Sequence, residues 1–299
     1  MENLLNRVSA KAIEDFLGRY KVVEGSIRSL INDFENNDGI YSDFSRFSAE
    51  RLLKSELLFK ALNNFSEQFL NSSLKSSSDC FELFGPGLLG SLIGSFYLIR
   101  KSIFNLPQDK RLSFLNWSGK FVYISSIFGK VFREVGLTHG IVFGGAIACS
   151  VGNFIAKFQK GADYFNHLNM SGAPFDFSYE RSNFGLSSAE MAAISLFYLG
   201  FSQSWVEGLA FCDKNLTEES NSLDHSSRFG VAAYWSKLLF EKNPRELLLA
   251  KYFSEIDDSV IESLITDIIE VKREPVDFWF LPEGSLAISE VLEISDESP

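Results

Sequence analysis

Three histidines are the residues of this sequence best suited to metal or acid–base chemistry: His139, His167 and His225. A hydrolytic metal site needs several lone-pair donors that converge on one cavity, and its histidines often come in close pairs such as His-Glu-x-x-His. None of the three belongs to such a pair. We therefore expect no catalytic residue and no metal ligand here. His139, near a helix start, is predicted to be a capping or core residue, and His225 a surface residue.

One group of side chains offers an alternative to this expectation. Asp163, His167, Asp176 and Glu180 are close enough in sequence to form a substitute cluster of oxygen and nitrogen donors. Such a cluster could hold a metal that activates water. The chain would then be a phosphohydrolase with rearranged ligands, and bound metal would support that alternative.

The three cysteines, Cys80, Cys149 and Cys212, form no recognisable redox or zinc motif. Their odd number, wide spacing and lack of a Cys-x-x-Cys pair argue against a disulfide framework. Cys149 and Cys212 lie in apolar runs, and the next cation after Cys149 is Lys157, too distant to favour a thiolate. We expect inert core cysteines.

A glycine-rich segment over residues 85–90, GPGLLG, has the letters of a dinucleotide-binding loop. That loop requires a preceding strand, and its backbone N–H groups bind pyrophosphate. Here the preceding segment is Ser-rich and Pro86 lacks an N–H. The segment therefore predicts the start of a buried helix, and we expect no cofactor.

The charge of the chain limits its partners. The formal net charge is −11, and the sequence shows no basic stripe that could follow a phosphate backbone. We expect no direct nucleic-acid binding and no docking on an anionic membrane. The first residues lack the apolar core of a signal peptide, and the apolar run at 83–99 is broken by glycines and Pro86. We expect a cytoplasmic protein.

Helical spacing of apolar residues dominates the chain and predicts an all-α fold. Ser48 is the expected cap of a long helix, and Ser187 or Ser188 begins a later one. Residues 71–79 and 169–176 are expected loops, and 276–281 is the only strand-like piece. The predicted helices cover 9–17, 22–34, 49–70, 87–104, 110–135, a Gly- and Ala-rich stretch from about 139, 187–200, 202–213, 223–240, 243–253 and 257–272.

Four segments in order resemble the HDOD domain family, relatives of the HD-type metal-dependent phosphohydrolases. They are RLLKSELLFKALNN at 51–64, CFELFGPGLLGSLIGSF at 80–96, IVFGGAIACSVGNFIAK at 141–157 and YERSNFGLSSAEMAAISLFYLGFSQSWVEGL at 179–209. The third is similar to the signature helix that ends in His-Asp-apolar-Gly. The fourth has the Glu, the apolar-Gly pair and the small-residue helix of the family, in Glu180, Phe184-Gly185 and the residues after Ser188.

The departures from the family pattern concern its metal site. The His-Asp pair is replaced by Cys149-Ser150, and other histidine positions of the family fall on Ser188 and on Phe211-Cys212. A thiol and a hydroxyl cannot replace a carboxylate that bridges two cations. The resemblance therefore implies the HD-like helical bundle without its hydrolytic activity, because such a fold depends on apolar packing.

These observations lead to one interpretation with two rivals. We expect an HD-like bundle in two closely packed lobes, with an N-terminal lobe at 1–108, an HD-like lobe at 109–245 and a C-terminal extension with an acidic tail at 246–299. The expected function is non-catalytic regulation through protein–protein contacts, with the partner and the oligomeric state unknown. The rivals are the phosphohydrolase with atypical ligands and an unrelated helical scaffold. Thirty phenylalanines leave open an exposed aromatic patch at the partner site.

Overall fold

The computed structural model describes residues 21–131, 136–210, 212, 236 and 258–273, and every regular element in these residues is helical. The all-α prediction is confirmed for this part of the chain. A π-helical turn over Ser66–Leu70 directly follows the third helix of the described chain. The helices are α1 (Lys21–Asn36), α2 (Asp43–Leu53), α3 (Glu56–Phe65), α4 (Ser77–Leu83), α5 (Pro86–Asn105), α6 (Gln108–Val131), α7 (Gly136–Lys157), α8 (Gly161–Ser171), α9 (Phe177–Phe184), α10 (Ser188–Tyr198), α11 (Gln203–Ala210) and α12 (Asp258–Arg273).

Most long predicted helices are confirmed, but the single helix at 49–70 is wrong. Ser42, not Ser48, caps α2 by accepting a hydrogen bond from the Ser45 N–H, and Ser55 caps α3 in the same way. A serine side chain can also bind its own helix, but here the Ser55 oxygen accepts the Leu58 N–H, so a new helix begins within the apolar periodic run. Helices α1, α5, α7, α10, α11 and α12 lie at or near their expected positions, and α6 does so as far as Val131.

The apolar spacing did not predict three short helices: α4, α8 and α9. Helix α4 begins within the expected loop at 71–79, where Ser76 and Asp79 form a reciprocal capping box. Helix α8 extends into the expected loop at 169–176 and ends at Ser171. Four predicted elements lie outside the described residues. They are the helices at 9–17 and 243–253, the strand-like piece at 276–281 and, apart from Ser236, the helix at 223–240.

Helix α7 lies at the centre of the fold and packs against α5, α6, α8 and α10. Every residue from His139 to Ile155 is buried. The small residues of α7 let α5 and α6 approach closely. A Cβ on Gly140 would lie 2.5 Å from the Ser125 carbonyl oxygen, and one on Gly145 would lie 2.9 Å from the Ser95 Cα. Glycine is therefore required at these two crossings.

Within the described ranges, α7 is also the one helix whose length and mean hydropathy would suit a membrane crossing. Its most apolar window has a mean hydropathy of 1.5, and 94% of that window is buried inside the protein. Core helices meet the same criterion, so length and hydropathy are weak evidence of membrane insertion. The apolar run expected as a buried helix at 83–99 lies largely in α5, whose first residue is Pro86.

Candidate functional site

Cys149 and Ser150, the residues that the sequence resemblance aligns with a His-Asp pair, lie in the middle of α7, in the packed core. Cys149 and Ser150 are both fully buried. The Ser102 hydroxyl of α5 donates to the Cys149 carbonyl oxygen at 3.1 Å, and the Ser150 hydroxyl donates to the Ala146 carbonyl at 2.8 Å. The Asn153 amide also donates to the Cys149 carbonyl, at 2.9 Å. The polar groups here are thus used within α7 and between α5 and α7.

The thiol at this position is chemically quiet. Burial raises the pKa of Cys149 and outweighs the hydrogen bonds and cations that lower it. A buried neutral thiol is a poor nucleophile and a poor metal ligand. Cys80 and Cys212 are buried thiols as well, as expected. Of the other expected histidine positions, Ser188 is buried at the start of α10, and Phe211 lies outside the described residues.

Part of the substitute cluster does come together, around Glu180. This carboxylate is completely buried in α9. One of its oxygens accepts a short hydrogen bond from the Tyr164 hydroxyl of α8, and the other accepts the Ser188 N–H of α10 at 2.5 Å. The Asp176 N–H in turn donates to the Tyr164 hydroxyl oxygen at 3.2 Å. Glu180 thus joins three helices and satisfies an N–H group at the start of α10.

Burial controls the protonation of this network. Desolvation raises the pKa of Glu180 to about 7, against the lowering effect of its hydrogen bonds from Tyr164 and Ser188. Burial and the nearby Glu180 carboxylate likewise raise the pKa of the Tyr164 hydroxyl well above its ordinary value. Glu180 is therefore the described carboxylate best placed to change protonation near neutral pH.

His167 and Asp176 form the partly exposed end of the same group. The His167 Nε2 and the Asp176 Oδ2 are 2.9 Å apart, and the imidazole stacks on the Tyr179 ring at 4.8 Å between centroids. Asp176 also caps α9 through the Tyr179 N–H. Asp163 does not join them, because its side chain is exposed on α8.

The donors of the substitute cluster do not converge on one point. Glu180 is engaged with Tyr164 and Ser188, whereas His167 and Asp176 bind each other. Among the residues that the structure describes, no three His, Cys, Asp or Glu side chains are grouped so that they could hold a metal ion.

His139 is a core residue, as its sequence position suggested, and it takes part in an aromatic cluster. Its ring stacks on Trp205 of α11 at 3.9 Å between centroids, and Phe34 and Phe201 lie at 5.8 and 6.4 Å. His139 is 6% exposed, and its ring packs against α1 and α11. His225 lies outside the described residues.

An exposed apolar surface at the beginning of α2 is the second candidate site. Ile40, Phe44 and Phe47 expose 65%, 68% and 62% of their surface. We call these three residues the α2 patch. Phe44 and Phe47 are three residues apart on a helix and therefore share a face. The other large apolar residues exposed in the described part of the chain, Phe158, Met170 and Val260, lie in three separate segments.

Buried polar contacts fix the segment that carries the α2 patch. Asp33 of α1 is 3% exposed, and its carboxylate accepts hydrogen bonds from the Ser42 N–H at 2.7 Å and from the Ser42 and Ser45 hydroxyls. The Tyr41 hydroxyl donates to the Phe84 carbonyl at 2.5 Å. The aromatic side chains thus stand on an anchored helix start, which is the preorganisation that binding surfaces need.

Sequence reasoning missed this surface. An exposed phenylalanine has the same letter as a core phenylalanine, and the chain holds thirty of them. The one available signal was that α2 begins after Ser42, because a helix that starts there turns Ser45, Ala49 and Leu53 inward and Phe44 and Phe47 outward.

No family model matches this chain, and neither a curated protein nor a solved structure matches it.

Proposed function

We propose that this chain is a non-catalytic regulatory protein of the HDOD type, an HD-like bundle in two closely packed lobes, which acts by protein–protein contact. The observation that carries the proposal is the α2 patch. The largest exposed apolar patch of a monomeric protein, of the order of a few hundred Å², is often an interaction site, and Phe44 and Phe47 belong to such a patch here. The exposed Phe44 and Phe47 rings would each supply a large apolar contact to a partner.

The buried position of Cys149 and Ser150 supports the non-catalytic part of the proposal. Phosphoester hydrolysis by an HD enzyme needs metal ligands that face a cavity open to water. Here both side chains are sealed in the core, and Ser150 binds its own helix. The requirement at this position of α7 is therefore close helix packing.

The proposal predicts partners whose recovery depends on the α2 patch. The test is affinity purification of the full chain from its native cells, with Phe44→Ser/Phe47→Ser compared with Met170→Ser. Met170 is 90% exposed and stands apart from the patch, so it is a matched control. We expect the double variant to lower recovery of specific partners about fivefold or more, and the control to leave it unchanged. Equal recovery by both variants would contradict the proposal.

A phosphohydrolase with atypical ligands is the second candidate, and the His167–Asp176 pair favours it. The two side chains are adjacent and partly exposed, and the Asp176 backbone N–H donates to the Tyr164 hydroxyl that binds Glu180, whose pKa of about 7 suits acid–base chemistry. The discriminating measurement is the metal content of protein expressed with added Mn, Fe and Zn. One or two tightly bound equivalents would favour the enzyme, and less than about a tenth of an equivalent would favour the regulatory proposal.

A further inference from the structure

The exposed face of α2 carries two cationic side chains in addition to its two aromatic rings. Phe44, Phe47, Arg51 and Lys54 follow one another at spacings of three, four and three residues. At the helical repeat these positions form one stripe, and all four side chains are exposed. The stripe therefore has an apolar end followed by a cationic end.

We propose that this stripe binds a short amphipathic segment of a partner protein, whose apolar side chains cover Phe44 and Phe47 and whose carboxylates pair with Arg51 and Lys54. The inference rests on the proposed function and specifies the chemistry of the partner. Arginine in particular binds a carboxylate through two parallel hydrogen bonds, which fixes the direction of the bound segment.

The size of the apolar surface favours a short segment. From their exposed fractions, the three side chains of the α2 patch present on the order of 400 Å² to a partner. A stable protein–protein interface buries about 800 Å² on each side. The patch alone covers about half of that area, which suits a transient contact with a single helix or strand of the partner.

Charge argues against two other occupants. A second copy of this chain that docks through the same stripe would bring Arg51 and Lys54 against like charges, so it offers poor charge complementarity there. An anionic membrane would meet the exposed acidic side chains of Asp43 and Glu50 beside the stripe.

The test is selection of peptides on the full chain. A displayed library of random peptides, each about four helical turns long, is selected on the wild-type protein and counter-selected on Phe44→Ser/Phe47→Ser. We expect the enriched peptides to carry apolar residues at helical spacing next to Asp or Glu. Arg51→Glu/Lys54→Glu should lower their affinity about tenfold or more and should select peptides with Lys or Arg instead. Met170→Ser should bind like the wild type.

Each other outcome overturns the inference in a distinct way. Peptides that need Phe44 and Phe47 but show no acidic preference refute the charge pairing and leave the proposed function standing. An absence of patch-dependent peptides refutes the short-segment partner. Sedimentation that shows self-association lost in Phe44→Ser/Phe47→Ser identifies a second copy as the occupant. Loss of binding to phosphatidylserine vesicles in that variant identifies a membrane. All five mutated side chains are exposed, so matching circular dichroism melts verify the fold.

Discussion

Replacement of Glu180 by glutamine should remove a specific pH dependence of stability. The folded protein raises the pKa of this buried carboxyl from 4.5 to about 7. Between these values the folded state binds more protons than the unfolded state, so stability falls as the pH rises. The contribution is fully present below about pH 4.5 and is lost as the pH passes through about 7. A glutamine amide cannot titrate, so Glu180→Gln lacks this loss.

The magnitude follows from the size of the shift. Each pKa unit corresponds to about 1.36 kcal/mol, so the shift of Glu180 from 4.5 to about 7 is worth about 3 kcal/mol over the whole window. Between about pH 5.5 and pH 8 the wild type should lose about 2 kcal/mol relative to Glu180→Gln. The amide oxygen can still accept the Ser188 N–H, and the amide nitrogen can donate to the Tyr164 hydroxyl oxygen.

Urea unfolding of both proteins at several pH values measures this difference. Helical circular dichroism and tryptophan fluorescence report the unfolding transition. The two proteins share all other acidic groups, so the contributions of these groups to the pH dependence cancel in the difference. We expect the free energy of unfolding of the variant, relative to that of the wild type, to increase steadily from about pH 5.5 to pH 8. A constant difference between the two proteins over this range would refute the raised pKa of Glu180 and the desolvation argument behind it.

Three further predictions concern two helical glycines and the buried cysteines. Gly145→Ala should destabilise the protein by about 1–3 kcal/mol, because the new Cβ would meet Ser95 at the crossing of α5 and α7. Gly25→Ala should instead stabilise it by about 0.5–1 kcal/mol, because Gly25 is an exposed helical position with nothing within 4 Å of the new Cβ. Thermal melts of both variants check whether stability falls in the first and rises in the second. Cys80 and Cys149 should react with a thiol reagent only upon unfolding, because burial raises both pKa values, that of Cys80 to about 12; rapid labelling of the native protein would contradict this.

Long periodic segments could be predicted from the sequence, because their apolar spacing is repeated over several turns. Helix α5 follows this logic, since Pro86 occupies its first turn and Gly85 its cap. The Ser187 cap of α10 follows it as well, with Glu190 completing the reciprocal bond. Each of these signals is local, so no tertiary information was needed.

Short helices and the break between α2 and α3 could not be predicted in the same way. The apolar periodicity of 49–70 continues across Ser55, and only tertiary packing decides that the serine side chain caps a new helix there. Helix α9 has eight residues, and its start depends on the Asp176 side chain, which also binds His167 of α8. A spacing rule over so few residues carries little information.

The two candidate sites differ in how far the sequence revealed them. Glu180 stood out in sequence both as part of a possible cluster and as part of the family resemblance, but its complete burial depends on how α8, α9 and α10 meet. The α2 patch gave no signal of its own, because the exposure of Phe44 and Phe47 follows only from the residue at which α2 begins. Burial is a property of the assembled fold and not of residue type.

Site-specific photo-crosslinking in native cells tests the central claim, contact with a partner through the α2 patch, most directly. A benzophenone amino acid replaces Phe44 in one variant and Met170 in another, and both positions are more than half exposed. The account predicts a discrete adduct with another protein from position 44 and none from position 170. Adducts of the same pattern from both positions, or no adduct from position 44, would contradict it.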